Sequence, residues 1–203
     1  MKAREWREYL ESQRRLHGKV LFTVTELAHV AGTSRKALNV ELHRLRRQGV
    51  IARLARGLYG LPDTVDIESL VAGIDSHAYM TGSYALHLHG LITQVPARIT
   101  CFTDRRSPRA RLRSTPLGIV LFACVRSLVY SPPPEGRIAG PEQALCDLVY
   151  ITRRAGARPA GAVTFRNLAR LDGRRLSERL SRYPSTVGEE IETLVHPRNV
   201  DGA

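Results

Sequence analysis

The segment Gly32-Thr33-Ser34 constrains this chain more than any other feature. It separates two amphipathic runs and leaves room for only a tight turn between them. Ahead of it, Thr23 and Glu26 stand at the N-cap and N3 positions of a capping box, and Phe22 and Leu27 have the spacing of a hydrophobic staple. That pattern predicts a helix from about Val24, with Val24, Leu27, Ala28 and Ala31 turned inward, stopped by Gly32. Behind the turn, Ser34 caps a further helix running to about Gln48, with Gly49 placed to end it. Two helices joined by a short glycine-containing turn form the helix-turn-helix signature.

The flanking segments extend the pattern. Residues 3–16 read as a preceding helix whose stripe is Trp6, Tyr9 or Leu10, Gln13 and Leu16. After the third helix, Val50–Leu54 and Leu58–Leu61 are β-prone runs joined by Ala55-Arg56-Gly57, the signature of a hairpin with a bulge-type turn. Three helices followed by a hairpin predict a winged helix-turn-helix domain. In the third helix Leu38, Leu42 and Leu45 form the core stripe, closed by Val50 or Ile51, and Arg35, Lys36, Asn39, His43, Arg46 and Arg47 lie off it. The N-terminal half of such a helix enters the major groove, so Ser34, Arg35, Lys36 and Asn39 are the candidate base readers. His43, Arg44, Arg46 and Arg47 are better placed for phosphates, as are Arg53 and Arg56 near the hairpin tip.

Charge points the same way. Lys and Arg number 31 against 19 Asp and Glu, a formal net charge of +12. Residues 1–62 carry 13 bases and 5 acids, and residues 63–203 carry 18 and 14. Arginine outnumbers lysine 28 to 3, which a GC-rich coding sequence explains in part, but the excess of bases over acids remains. A polyanionic partner, nucleic acid before anionic membrane, follows from the sign of the field. The longest apolar run, Ile119–Val125, is far short of the roughly 20 residues that span a bilayer. The charge-rich N-terminus has no signal-peptide pattern. Cys101, Cys124 and Cys146 are odd in number and lack a CxxC, so a disulfide framework is not expected and a cytoplasmic setting is.

The domain boundary is expected near Leu61-Pro62-Asp63, giving a winged-helix domain over 1–62 and an α+β domain over 63–203 with a small sheet and a helical tail. Its expected helices are Ile67–Ile74, Tyr84–His89, one opened by Gly140-Pro141, and three short ones at Phe165–Leu171, Arg174–Leu180 and Thr186–Val195. Strands are expected at Arg98–Thr103 and Gly118–Val125, with Ser127–Tyr130 as an extension of the latter. Arg98, Arg105, Arg106, Arg109, Arg111 and Arg113 form a possible second basic patch on an exposed hairpin or loop. His77, His87 and His89 lack metal-ligand spacing, and Glu142 and Asp147 are poorly placed for a carboxylate pair. No phosphate-binding loop or nucleophile motif is present. Neither catalytic residues, nor a metal, nor a cofactor is therefore expected.

Three stretches carry a resemblance to a known family: FTVTELAHVAGTSRKALNVELHRLRRQGVIARLARGLYGLP, YMTGSYALHLHGLITQVPARITCFTD and IAGPEQALCDLVY. In this order they resemble the AbiE-type (AbiEi) antitoxins of bacterial type IV toxin–antitoxin systems. The resemblance covers about residues 20–150. It implies a non-enzymatic two-domain antitoxin that binds inverted repeats in its own promoter and represses the operon. Its second domain would counteract a nucleotidyltransferase-like toxin without a stable complex. The residues alone leave open a stand-alone winged-helix regulator whose second domain senses a ligand.

Overall fold

The computed structural model describes residues 1–107, 110–159 and 163–195. The chain divides into two compact units, Met1–Ser76 with Ser114–Leu117, and the remainder from His77 onward.

The first unit begins with helix α1 (Ala3–His17), strand β1 (Leu21–Thr23), α2 (Val24–Ala31) and α3 (Arg35–Arg47), and continues through the hairpin β2 (Ala52–Ala55) and β3 (Leu58–Gly60) to α4 (Ile67–Ile74). The Thr23 capping box forms as expected: the Glu26 amide donates to the Thr23 hydroxyl, and the Thr23 amide donates to Glu26 Oε2 at 2.7 Å. Partial burial pushes the Glu26 carboxyl up, but Lys19 and the Thr23 amide and hydroxyl outweigh it and leave the group below its ordinary value. Gly32 ends α2 in the left-handed region at φ 58°, and Ser34 caps α3 by accepting from the Ala37 amide at 3.3 Å.

Leu21–Thr23, expected only as an approach to α2, is a strand. It pairs antiparallel with β3, giving a three-stranded sheet in the order β1-β3-β2. The expected bulge falls between Arg53 and Ala55. Trp6, Leu10, Phe22, Leu27, Leu38, Leu42 and Leu45 share one core. Leu16, expected on the α1 stripe, is 75% exposed, because the buried face of α1 is carried by Trp6 and Leu10 alone. Helix α4 lies beyond the Leu61-Pro62-Asp63 boundary yet packs with this unit: Leu70 is buried with Leu54, Leu58 and Val65. It approaches through Gly73, where a Cβ would come within 2.6 Å of Leu21 Cδ1.

The second unit contains β4 (Tyr79–Thr81), α5 (Gly82–Leu88), β5 (Ile99–Thr103), the first half of β6 (Leu112–Thr115), β7 (Gly118–Cys124), α6 (Pro141–Arg154), α7 (Gly173–Leu180) and α8 (Ser185–Val195). The sheet order is β4-β5-β7-β6, with β4 antiparallel and β7 parallel to β5. Leu112–Thr115 is a strand beside β7, so of the expected hairpin or loop it is the hairpin that forms. Two expectations fail here. Ser127–Tyr130 does not extend β7, because the Val129 and Tyr130 amides both donate to the Arg126 carbonyl and turn the chain. The helix expected at Phe165–Leu171 reduces to one 3-10 turn at Leu168–Arg170. Asn167 sits at φ 56°, and the Arg166 amide is spent on the Leu91 carbonyl, so a helix cannot pass through.

Helix α6 is the centre of this unit. Its residues Glu142–Tyr150 are all buried, so over that length it gives no face to solvent. Asp147 is fully buried on it and accepts three hydroxyls: Tyr183 on Oδ1 at 2.6 Å, and Thr81 at 2.7 Å and Tyr79 at 3.2 Å on Oδ2. Burial pushes its carboxyl up to about 7, against the pull of those hydroxyls and of Gln143. The Tyr79 and Tyr183 phenols are pushed up in turn, by burial first and the neighbouring carboxylate second. One acidic group thus ties β4, α6 and the turn before α8 together.

A folded-state pKa above the unfolded value means that the folded form holds this proton more tightly. The group's contribution to stability is therefore full below about pH 4 and is lost as the pH rises towards 7 and beyond, by roughly 4 kcal/mol in all. Asp147→Asn removes the titration. It should be less stable than the parent at pH 5, where the protonated carboxyl still serves the hydroxyls, and the deficit should shrink by pH 8. Urea unfolding of both proteins at the two pH values checks this, and an unchanged gap would show that the carboxyl does not titrate in this window.

Candidate nucleic-acid interface

The geometry of α3 follows from its core stripe. With Leu38, Leu42 and Leu45 buried, the direction opposite the core is fixed by the helical repeat. On that repeat Arg47 and Val40 lie within about 15° of the outward direction, Lys36 within about 30°, and His43 and Arg44 within about 55°. Asn39 and Arg46 flank the face, and Arg35 lies nearer the core side at the first turn. All eight are exposed. Among the described residues the charged and polar members of this set make no side-chain hydrogen bond or ion pair.

Glu41 is the acid of this helix, and it is held away from the outward face. Its Oε1 accepts from Trp6 Nε1 at 2.7 Å and meets the Met1 ammonium at 3.2 Å. The remaining charges of α3 are Arg35, Lys36, Arg44, Arg46 and Arg47, and the exposed surface is uniformly positive. Ser34 is exposed at the N-cap, but its hydroxyl already accepts from the Ala37 amide. Arg53 and Arg56 are exposed at the β2–β3 end, where Gly57 turns at φ 79° and its carbonyl accepts from the first amide of α2. Arg53 Nε donates to the Ala55 carbonyl at 3.4 Å, which directs it along the hairpin. Val40 was not among the expected site residues. It is 57% exposed, and its place on the helical repeat is the signal that locates it.

The arginines of the possible second patch are placed differently from one another. Arg98, Arg105, Arg106 and Arg111 are exposed around β5 and the start of β6. Arg109 lies outside the described residues. Arg113 is half-buried: its guanidinium stands 4.9 Å from the Phe122 ring centroid and donates to the Ala110 carbonyl and the Ser107 hydroxyl. Its charge is engaged in local structure.

The histidines also serve separate local roles. His77 Nδ1 pairs with Asp104 at 2.9 Å, and His89 Nε2 with the Ala139 carbonyl at 2.8 Å. His87 Nδ1 is buried with no hydrogen-bond partner among the described residues. Glu142, buried on the same helix as Asp147, accepts from the Asp172 amide at 3.0 Å, so the two carboxyls have separate tasks.

The first unit is thus a helix-turn-helix module with a hairpin behind it and a basic outward face on the second of the paired helices. Residues 9–62 match the model of the family described as transcriptional regulator, AbiEi antitoxin. The chain is therefore AbiEi-like at its N-terminus, and the match supports an antitoxin or regulator role. A comparison with curated proteins finds no match. Among the described residues no helix is long and apolar enough to cross a membrane.

Ser34 separates a structural duty from a binding one. Ser34→Ala should cost about 1 kcal/mol of stability through the lost cap, whereas Ser34→Asn should retain most of it. Thermal unfolding of both variants without DNA measures this, and equal midpoints for parent and alanine variant would remove the capping role.

Proposed function

We infer that the first unit binds double-stranded DNA and that the chain represses its own promoter as a non-enzymatic antitoxin of a type IV, AbiE-like system. The carrying observation is the outward face of α3. Its basic side chains are exposed and, among the described residues, unpaired, its acid is tied to Trp6 and the Met1 ammonium, and the fold behind it is a helix-turn-helix with a β-hairpin, which supports a winged-helix reading. The family match over 9–62 supports the regulator half of the reading. Lys36 and Asn39 are assigned to base edges, with Ser34 and Arg35 at the same end of the helix. His43, Arg44, Arg46, Arg47, Arg53 and Arg56 are assigned to phosphates. Inverted repeats are the matching operator form, since two copies related by a two-fold axis meet two equal half-sites.

For the second unit the reading is that it opposes a nucleotidyltransferase-like toxin in the cytoplasm by function and not by stable complex. This part rests on the resemblance of residues 79–104 and 138–150 to the family. Arg98, Arg105, Arg106 and Arg111 give that unit a further contact with nucleic-acid phosphates.

Fluorescence anisotropy on the chain's own upstream DNA, beside a scrambled duplex at two salt concentrations, tests the reading. Tight binding to the native fragment alone is expected, with log K falling by about 0.9 per phosphate contacted for each unit of log salt. Arg56→Ala should weaken all sequences alike, while Asn39→Ala should cost about 1–3 kcal/mol and relax specificity at one base pair. Equal affinity for both duplexes would reduce the first unit to a general phosphate binder. Mg²⁺-dependent cleavage of either duplex would overturn the non-enzymatic assignment.

A further inference from the structure

The outward face of α3 holds one side chain that phosphate attraction does not use. Val40 is 57% exposed near the centre of that face, with Lys36 one turn before it and His43 and Arg47 one and two turns after. A β-branched residue is a weaker helix former than the lysine, arginine or alanine available at such a position. More than half of Val40 is left in water, and it also borders a cavity shared with Met1, Ala3 and Ala37. A long cation there would add to the field, as those around it do.

The surroundings limit what can cover it. An apolar protein surface laid on Val40 would bury Lys36, Arg44 and Arg47 without partners, at a large desolvation cost. The fitting partner has a small apolar spot ringed by hydrogen-bond acceptors and anions. The major-groove edge of a thymine offers that combination: a C5-methyl beside the O4 acceptor, between two lines of phosphates. It is the only base of DNA with an apolar group on that edge. We propose that Val40 is a specificity residue that packs on a thymine methyl at the centre of each half-site. The inference rests on the DNA-binding reading above and adds to it a base identity and the group that reads it.

The test uses the full-length protein and the upstream fragment, made with thymine or with uracil at every position. Uracil keeps every hydrogen-bonding group of thymine and lacks only the methyl. Burying one methyl corresponds to about a four-fold change in affinity. The parent protein should therefore bind the uracil duplex about four-fold more weakly per half-site. Val40→Ala should bind both duplexes equally. This variant should fold, since the position is exposed and alanine favours the helix, and an unchanged thermal unfolding midpoint without DNA checks that it has.

An undiminished affinity of the parent for the uracil duplex would overturn the inference while leaving specific binding intact. A loss on uracil DNA of the same size in parent and Val40→Ala would also overturn it, by placing the methyl contact elsewhere or in the shape of the duplex. Equal binding of parent protein to native and scrambled thymine duplexes would instead defeat the DNA-binding reading, and this inference with it.

Discussion

The packing of Leu38, Leu42 and Leu45 against Trp6, Leu10, Phe22 and Leu27 sets everything the first unit presents to a partner. Each fully buried leucine contributes about 1.5–3 kcal/mol, against a total domain stability of roughly 5–15 kcal/mol. A one-residue rotation of α3 would expose that stripe and is out of reach. The same packing decides where Glu41 points. It precedes Leu42 and is turned toward α1, where Trp6 Nε1 and the Met1 ammonium take its carboxylate. With the acid neutralised there, the field over Lys36, His43, Arg44 and Arg47 is not offset from within the helix. The indole of Trp6 thus fills the core and also secures the sign of the outward face.

Much of this was legible in the chain because the signals are local. The Thr23–Glu26 box, the Gly32 stop, the Ser34 cap and the Gly57 turn each lie within a few residues of the bonds they make. What was not legible depends on distant partners. Strand β1 exists because β3, nearly 40 residues on, supplies its ladder, and three residues carry no periodicity of their own. Helix α4 looked like the opening of a second domain, since Pro62 and the acidic turn mark a boundary. Gly73 and Leu70 instead close it onto the hairpin, through contacts that only the fold brings together. Val40 was legible in principle, but sorting the helix into an apolar stripe and charged remainder left no category for an apolar residue outside.

The second unit shows the same division more sharply. Pro141 and Glu142 announce the start of α6, and its apolar stripe could be read. That Glu142–Tyr150 are buried on every side could not, and neither could the role of Asp147. Its three hydroxyl partners come from Tyr79, Thr81 and Tyr183, each more than 30 residues away. A lone aspartate among apolar neighbours reads as a solvated position until those hydroxyls are in place. Arg113 misleads in the opposite sense. By sequence it is one of a run of arginines, and by structure its guanidinium lies on the Phe122 ring. Charge runs report a field only after such engaged members are subtracted.

The division of labour on α3 follows from reach. Arginine and lysine side chains are long and find phosphates from the edges of a groove, and these contacts fix position without reading sequence. On the DNA-binding reading the outward line of α3 would come closest to the groove floor, with Val40 between Lys36 and Arg47 on it. A short, stiff side chain suits that place, and Val40 has a single strongly preferred rotamer in a helix. On the DNA-binding reading it would present its methyls with little entropy to lose, while the flexible cations around it would accommodate the backbone. A face built only for attraction would hold a cation at every exposed position. An apolar residue set between two cations on the outward line is what such a surface would use to distinguish one base pair from another after electrostatics had brought it there.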